Sequence, residues 1–548
     1  MTAQTILHGT GLELDFPAVA PEAAGGFDGA SKISRELSSW RPALQSPDQQ
    51  ISAAKETLDA RSRDMVNNDG YATGAVAIHK DAIVGGQYML NSQPKWHMLG
   101  MDEVWAEEFQ REVEAKFSLW AESSMNWPDA SRINTLTGLV RLAIGTFVMS
   151  GEVLATAEWL PRQGRPYSTA IQMVDPDRLS NPNGKDDTVD LRRGVERDKY
   201  GAPVAYHIRA NHPGTFYSEQ DNFTWRRVPT RKPWGRQQVI HIIEQLRPDQ
   251  TRGIAEMTAV LKQMRMTQKF QDIVLQNAVL NASYAATIES ELPPEAAYAQ
   301  IGQGGSTEWA TQFLTQVAEF SGNSRNLHMD GVKIPHLYPG TKLKLQNAGQ
   351  PGGVGSSYEE SLLRHISASL GLSYEQFSRD YSKTNYSSAR ASMNETWKYM
   401  QSRKKMVADR FATQVFALWF EEAMNKGDLT TVTKSMPSFY DGINREAYLS
   451  CQWVGASRGQ IDEMKETQAA ILRIQNGLST YEKEASRLGD DFREIFIQRA
   501  REKRMMEELG ITPEIKAPVK MKPKPADQAA TGEDEGDNAD ATDTATEG

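Results

Sequence analysis

The chain has 548 residues, 39% hydrophobic and 24% charged, with a formal net charge of −10. Eight acids (Asp527, Glu533, Asp534, Glu535, Asp537, Asp540, Asp543 and Glu547) sit in the last tract with no base, which leaves the body at −2. A near-neutral body excludes a sequence-specific DNA binder that grips phosphates with clustered Lys and Arg, and the single cysteine, Cys451, excludes an intrachain disulfide or thiolate zinc cluster.

The start, MTAQTILHGTGLELDF, lacks the basic and apolar blocks of a secretory signal. The best apolar run, Leu139 to Met149, is too short for a bilayer and contains Arg141. A soluble protein of a reducing cytoplasm, with no membrane partner, is therefore expected. Residues 1–45 are rich in Gly, Pro, Ala and Ser without periodicity and read as an extended arm. Helical spacing follows over Gln49–Val66, Ala72–Val84, Asp102–Ser123 and Arg132–Met149. In the third of these, Val104, Trp105, Phe109, Val113 and Phe117 share a side. From Gly151 to Glu244 the period changes: EVLATAEWL, STAIQMV, APVAYHIRA and QVIHIIEQ alternate between Pro and Gly turns and read as a β-rich region.

A long helix is expected from Ile254 to about Glu289, with Ile254, Met257, Leu261, Met264, Phe270, Ile273 and Val274 as its apolar stripe. Lys262, Arg265 and Lys269 cluster on it as a basic stripe, which either faces a phosphate backbone or a neighbour's acids, or is simply a solvated face. Pro293 and Pro294 end the helix. A small α/β insertion follows, with a helix at Thr307–Phe320 and a strand pair around VKIPHLYPGTKLKLQ. After AGQPGGVGSS a further helix begins, with capping-box spacing at Ser357 and Glu360 and a stripe of Tyr358, Leu362, Ile366 and Leu370.

The next stretch is the most informative. Tyr374 to Tyr386 is a polar loop holding Arg379, Asp380, Tyr381, Lys383, Asn385 and Tyr386 with almost nothing to bury. From there to about Asn425 no Pro or Gly interrupts a helical pattern, giving a rod of roughly 60 Å. Such a rod on a polar loop makes sense if copies stand side by side in a ring, each helix packing on its neighbours. Helices at Asp462–Gln475, Thr480–Leu488 and Phe492–Leu509 then lead to KAPVKMKPKP and the acidic tail.

Signals for chemistry are weak. Gly455 to Gly459 spells GxSxG around Ser457, but the last histidine is His365, so no general base follows the serine as a hydrolase of that type requires. IGQGGS and GQPGGVGSS lack the Gly-Lys-Ser/Thr of a P-loop, so no ATP motor is visible. His207, His212, His328 and His336 lack the spacing of a helical zinc site and read as structural or exposed. Asp490 and Asp491 read as an N-cap.

The run DYSKTNYSSARASMNETW, Asp380 to Trp397, resembles the signature of the portal proteins of lambda-type tailed bacteriophages. Further pieces match in order: NNDGYATGAVAIHKDAIVG, VDPDRLSNP at Val174–Pro182, GVERDKYGAPVAYHI at Gly194–Ile208, RPDQTRGIAEM at Arg247–Met257 and IQNGLST at Ile474–Thr480. The resemblance spans about residues 45 to 510, departing at IDEMKETQA, Ile461 to Ala469, where the family usually has Pro after the Asp.

It implies a mixed α+β, helix-rich portal fold. The parts would be an N-terminal arm to 45, a wing at 46–253, a first stem helix at 254–289 and a clip at 290–350. A second stem helix at 351–371, a tunnel loop at 372–387, and a long helix returning to the wing at 388–456 would follow. Crown-side helices at 457–512 and a disordered tail from 513 would complete the chain.

By the same resemblance, twelve copies would form a ring at one capsid vertex in the virion, assembled in the host bacterial cytoplasm and passing double-stranded DNA. The partners implied are the terminase large subunit, major capsid and scaffolding proteins, and head-tail adaptor proteins. Enzymatic activity and cofactors are not expected. Arg379, Lys383, Asn385, Tyr386 and Arg390 would form the constriction, since polar donors touch phosphate without reading sequence. The competing reading is that Arg379 and Arg390 pair with Asp380, Glu395 or a neighbour and fix the loop. A hydrolase using Ser457 and a non-ring virion protein are the alternatives.

Overall fold

The computed structural model describes residues 27–510 apart from 33, 163, 216–222, 285–314, 316–326, 330–331, 335–354 and 460–462. It divides into two units, Met1–Asp490 and Asp491–Gly548. Most of the expected clip, including all of the Thr307–Phe320 helix but Thr315, lies outside the described residues, as do residues 1–26 of the expected arm and the acidic tail.

Four helices open the first unit: α1 (Pro47–Asn68), α2 (Gly70–Ile83), α3 (Glu103–Ala121) and α4 (Leu136–Ser150), with β1 (Met89–Ser92) between the second and third. Each helix starts where a short polar side chain can satisfy an orphan amide. Ser46 accepts from the Gln49 N–H, Asp69 from Ala72, Asp102 from Trp105 and Thr135 from Gly138. The β-rich region then delivers two antiparallel sheets. Strands β2 (Glu152–Trp159), β3 (Thr169–Val174) and β8 (Val239–Ile243) form one in the order β3-β2-β8. Strands β4 (Leu191–Arg192), β5 (Val195–Arg197), β6 (Pro203–Arg209) and β7 (Trp225–Pro229) form the other in sequence order. Leu154, Val174, Leu179, Val195, Tyr206, Ile208, Val228 and Val239 fill the small core they share.

Helix α5 (Leu261–Tyr284) is preceded by a 3-10 turn at Glu256–Ala259, so the expected helix begins later than Ile254. Met257, Leu261 and Met264 are buried, whereas Ile273, Leu275 and Val279 are exposed, so the stripe leaves the body partway along. Strands β9 (Leu327–Met329) and β10 (Val332–Ile334) pair antiparallel, so VKI finds its partner upstream. Helix α6 (Gly355–Ser369) already contains Ser357, which is therefore not its cap. Its buried residues include Leu363 and Ile366, with Leu370 just after, while Tyr358 is exposed and Leu362 half-buried.

A short helix α7 (Tyr374–Ser378) leads to α8 (Tyr386–Arg403), a π-turn at Lys404–Ala408 and α9 (Asp409–Lys426). The rod is continuous, but its second half does not await neighbours. Phe411, Ala412, Val415, Phe416, Ala417, Leu418, Trp419 and Phe420 are all buried within the protomer, because a helix apolar on every side belongs in a core. Phe416 and Trp419 each meet Phe117 edge-on at 5.2 Å, and Phe420 lies 5.8 Å from Phe109. Trp105, Phe109, Val113 and Phe117 form the inner face of α3 as expected, while Val104 is 65% exposed, one position off that face. A short helix α10 (Asn444–Tyr448) precedes β11 (Cys451–Val454), which pairs with β1. Helices α11 (Glu463–Gln475) and α12 (Tyr481–Leu488) close the first unit. In the second, α13 (Phe492–Glu508) is capped by Asp491, as its sequence indicates, and has no buried residue. Among the described residues no helix is long and apolar enough to cross a membrane.

The motif RPDQTRG ties these parts together. Arg252 meets the fully buried Glu152 through Nε at 2.9 Å and Nη2 at 2.5 Å, and also donates to the carbonyls of Leu179, Pro176 and Arg193. Lys55 of α1 reaches Glu152 at 3.1 Å and Asp59 at 3.0 Å, and His241 of β8 lies 3.1 Å from Glu152. A Cβ on Gly253 would come within 2.0 Å of the Gly151 carbonyl, so only glycine permits this approach. Burial alone would raise the Glu152 carboxyl. The charges of Arg252 and Lys55 and hydrogen bonds from His241 and Arg252 outweigh it and hold the group well below the usual range. For Asp59 burial wins over Lys55 and pushes the carboxyl up to about 6.

Candidate functional site

The polar loop is built on a firm base. Helix α6 ends at Ser369, and just beyond it Gly371 takes a left-handed φ of 65° that lets the chain turn, where a Cβ would strike the Tyr399 ring at 2.4 Å. Leu372 follows, 5% exposed, and Ser373 caps α7 by accepting from the Gln376 N–H. Phe377 is 4% exposed and stacks on Tyr71 of α2 at 5.3 Å. Arg364 of α6 lies over the Tyr374 ring at 5.2 Å and pairs with Glu360 at 2.6 Å. The expectation that Tyr374–Tyr386 buries almost nothing fails at Phe377, which stacks on α2, and the buried Leu372 just before the loop adds to its base.

Beyond this base the loop turns outward. Arg379, Asp380, Tyr381, Ser382, Lys383 and Asn385 are exposed. Arg379 adopts a left-handed φ of 60°, which costs a non-glycine residue about 1 kcal/mol and marks a tip held in one shape. Asp380 accepts from the Ser382 N–H at 3.0 Å, and hydrogen bonds to Ser382 are the main reason its carboxyl sits below the usual range. Asn385 and Ser388 cap α8 reciprocally, at 2.8 and 3.1 Å, with Tyr386 as the first helical residue. Lys383 reaches back to Glu360 at 3.0 Å while 74% exposed, so that ion pair is weak and its ammonium is accessible to an anion. Arg379 and Arg390 are exposed and make no ion pair among the described residues. The alternative in which they lock the loop through Asp380 or Glu395 is therefore not what this protomer adopts.

Lys262, Arg265 and Lys269 are exposed on α5, with Arg265 donating to Gln268 at 3.0 Å. Helix α5 packs beside α6 through Phe270 and Tyr358, 6.0 Å apart, and Gln271 donating to Glu359 at 2.6 Å. The tip and the basic stripe therefore belong to neighbouring helical elements. The base contacts were not legible in the sequence: Glu360 and Arg364 carry an i, i+4 signal, whereas Tyr71 and Phe377 are too far apart in the chain to announce their pairing.

The remaining motifs resolve structurally. In the GxSxG run, a Cβ on Gly455 would meet the Ile83 carbonyl at 2.7 Å and the Tyr88 ring at 2.8 Å, so this glycine serves packing. Ser457 lines a cavity of about 700 Å3 with Trp397, Arg458, Glu463, Arg473 and Glu484, and no histidine is among its lining residues. Glu484 there pairs with Arg473 and Arg487, each at 2.8 Å. His212 comes together with Asp175 and Asp177, but the Arg63 guanidinium already pairs with both carboxylates. His207 pairs with Glu196 at 2.6 Å.

Comparison with known proteins agrees with these motifs. The family model described as phage portal protein, lambda family, matches residues 34–404, and the chain belongs to that family. It is 38% identical to Portal protein B of Escherichia phage lambda, over 90% of this chain and 92% of the relative. The portal protein of Escherichia phage N15 gives the same identity and coverage. A probable portal protein of Halomonas phage phiHAP-1 is 23% identical over 83% of this chain and 82% of its own length. Among solved structures, a chain of the native gene transfer agent virion aligns at 13% identity and a TM-score of 0.37, covering 82% of this chain and 96% of its own. A chain from the neck of the empty gene transfer agent particle aligns at 12% identity and a TM-score of 0.39, covering 84% and 99%.

Proposed function

We propose that copies of this portal protein form a closed ring, twelve in the virion, at one capsid vertex. Double-stranded DNA enters through its bore during packaging and leaves through it at ejection. The ring assembles in the host bacterial cytoplasm with major capsid and scaffolding proteins. It docks the terminase large subunit, which supplies the energy, and later the head-tail adaptor proteins. The chain is itself not an enzyme and needs no cofactor. A cyclic ring uses two different, complementary surfaces on each protomer.

In this reading residues 46–253 and 388–456 are the wing, α5 and α6 the stem with the clip between them, and 372–387 the tunnel loop. Residues 457–512 are crown-side, and 1–45 and 513–548 are the arm and tail. The observation that carries it is the loop: an immobilised base of Leu372, Phe377 and Ser373 under an exposed tip of Arg379, Lys383 and Asn385, with Tyr386 and Arg390 at the start of the next helix. One or two accessible cations per copy become a ring of charge that touches phosphate without a well deep enough to stall sliding. Lys262, Arg265 and Lys269 offer a second, shallower basic band along the stem.

Packaging by particles carrying Arg379→Ala with Lys383→Ala tests it. Rings should form normally while genome filling or retention falls, and normal filling by the double variant would remove the loop from the mechanism.

A further inference from the structure

A further cationic cluster, separate from the polar loop and the α5 stripe, lies where the loop before α4 meets the β2–β3 turn. Arg132 and Arg165 both lie against the Trp127 indole, at 5.1 and 5.5 Å. Arg162 belongs to the same tight turn as Arg165, whose N–H donates to the Arg162 carbonyl at 3.2 Å. Arg165 spends Nε on the Tyr167 carbonyl at 3.2 Å and Nη2 on the carbonyls of Trp127 and Thr169. Its Nη1 is buried and has no acceptor among the described residues. A buried charged donor without a partner is costly, so native proteins seldom leave one unless something else supplies the acceptor.

The carboxylate nearest in charge effect, Glu422, is already committed. It accepts from the Ser168 and Thr169 amides at 2.6 and 2.7 Å and pairs with Lys426 at 3.2 Å. Burial, then the like charges of Arg132 and Arg162, push the Arg165 guanidinium below its ordinary value against the opposing pull of Glu422, so three cations crowd there with one already committed carboxylate. Arg132 and Arg162 are exposed and make no ion pair among the described residues. The loop that presents Arg132 is stiff: Asp129 accepts from the amides of Ser131, Ile133 and Asn134, and Asn126 donates to the Arg132 carbonyl at 3.1 Å. Arg132 is held there at a left-handed φ of 59°.

We propose that Arg132 and Arg165, which lie against Trp127, together with Arg162 of the adjoining turn form a preorganised site for a phosphate-type oxyanion. The ligand would be inorganic phosphate or a phosphodiester of a nucleic-acid backbone. Planar guanidinium forks match such oxygens two at a time, and the indole fixes two of the three forks in place. Arg165 supplies the buried donor, while Arg132 and Arg162 supply the accessible ones.

The test uses the full-length protein and a variant carrying Arg132→Gln with Arg162→Gln, which alters only exposed side chains and leaves Arg165 intact. Inorganic phosphate is titrated by calorimetry at constant ionic strength, then again with a short DNA duplex or with poly-glutamate as competitor. Saturable phosphate binding that weakens tenfold or more in the variant supports the site. Displacement by the duplex assigns the phosphate to a nucleic-acid backbone, and indifference to the duplex assigns it to the free ion. Equal binding by the variant, no saturable phosphate binding, or binding of poly-glutamate with none of phosphate would each overturn the proposal.

Discussion

Replacing Phe377 with Ala should free the polar loop after α6 without dismantling the protomer. The ring is 4% exposed and stacked on Tyr71 at 5.3 Å. Truncating a buried Phe costs about 3–5 kcal/mol, of which the ring stack accounts for roughly 0.5–1.5. The other fastenings are smaller: the Ser373 cap contributes about 1 kcal/mol, and the exposed Lys383–Glu360 pair less than about 1. Leu372, 5% exposed just before the loop, anchors its start at about 2–5 kcal/mol, and within Tyr374–Tyr386 Phe377 carries the largest single share. Its loss should lower the local opening free energy by about 3 kcal/mol, or roughly a hundredfold in opening equilibrium. Hydrogen exchange reads this directly at the Phe377 amide, which bonds the Ser373 carbonyl, and the Thr384 amide, which bonds that of Tyr381. Both should exchange about two orders of magnitude faster, amides in α9 should be unchanged, and Phe377→Leu should recover most of the protection. Unaltered exchange at Phe377 and Thr384 in the Ala variant would refute the view that this ring holds the loop.

Three further outcomes follow from the buried charges and the lone thiol. Glu152→Gln breaks a fully buried cluster and should lower stability by about 3–5 kcal/mol, seen as an earlier urea midpoint; a loss under about 1 would show the cluster is solvated. Asp59, raised to about 6 from an ordinary 3.8, binds its proton more tightly folded than unfolded. Its contribution is therefore largest below about pH 4 and declines as pH rises to 6, so the stability of Asp59→Asn relative to the parent should increase across that window. A pH-independent difference would exclude this. For Cys451, burial pushes the thiol up to about 11, so alkylation at pH 8 should run over about a hundredfold slower than in urea, and comparable rates would refute the shift.

The C-terminal helices were legible from their caps, whereas the capping-box spacing at Ser357 misplaced the start of α6, which already contains that serine. Thr480 and Asp491 both stand at the starts their side chains indicate, and α11, α12 and α13 fall within a residue or two of expectation. The change of period after Gly151 located both sheets, but not how they divide, because pairing depends on contacts far apart in sequence. Val104 looked like part of α3's inner face because it neighbours Trp105 and shares its hydrophobicity; helical geometry puts it at the rim. The π-turn at Lys404–Ala408 left no signature in residue type. The polar tip of the loop was readable from composition, while its base was not, since Phe377 and Tyr71 meet only when α2 and α7 pack. The charge cluster around Glu152 was invisible too: RPDQTRG could be quoted as a motif, but its partners Lys55, Glu152 and His241 lie on three other elements.

Electron microscopy of the purified full-length protein, viewed down its symmetry axis, tests the central reading most directly. It should show a closed ring of identical copies with an open bore wide enough for duplex DNA, narrowest at the level of residues 379–385. Monomers, open filaments, or a bore lined elsewhere with 379–385 facing the outer surface would contradict it.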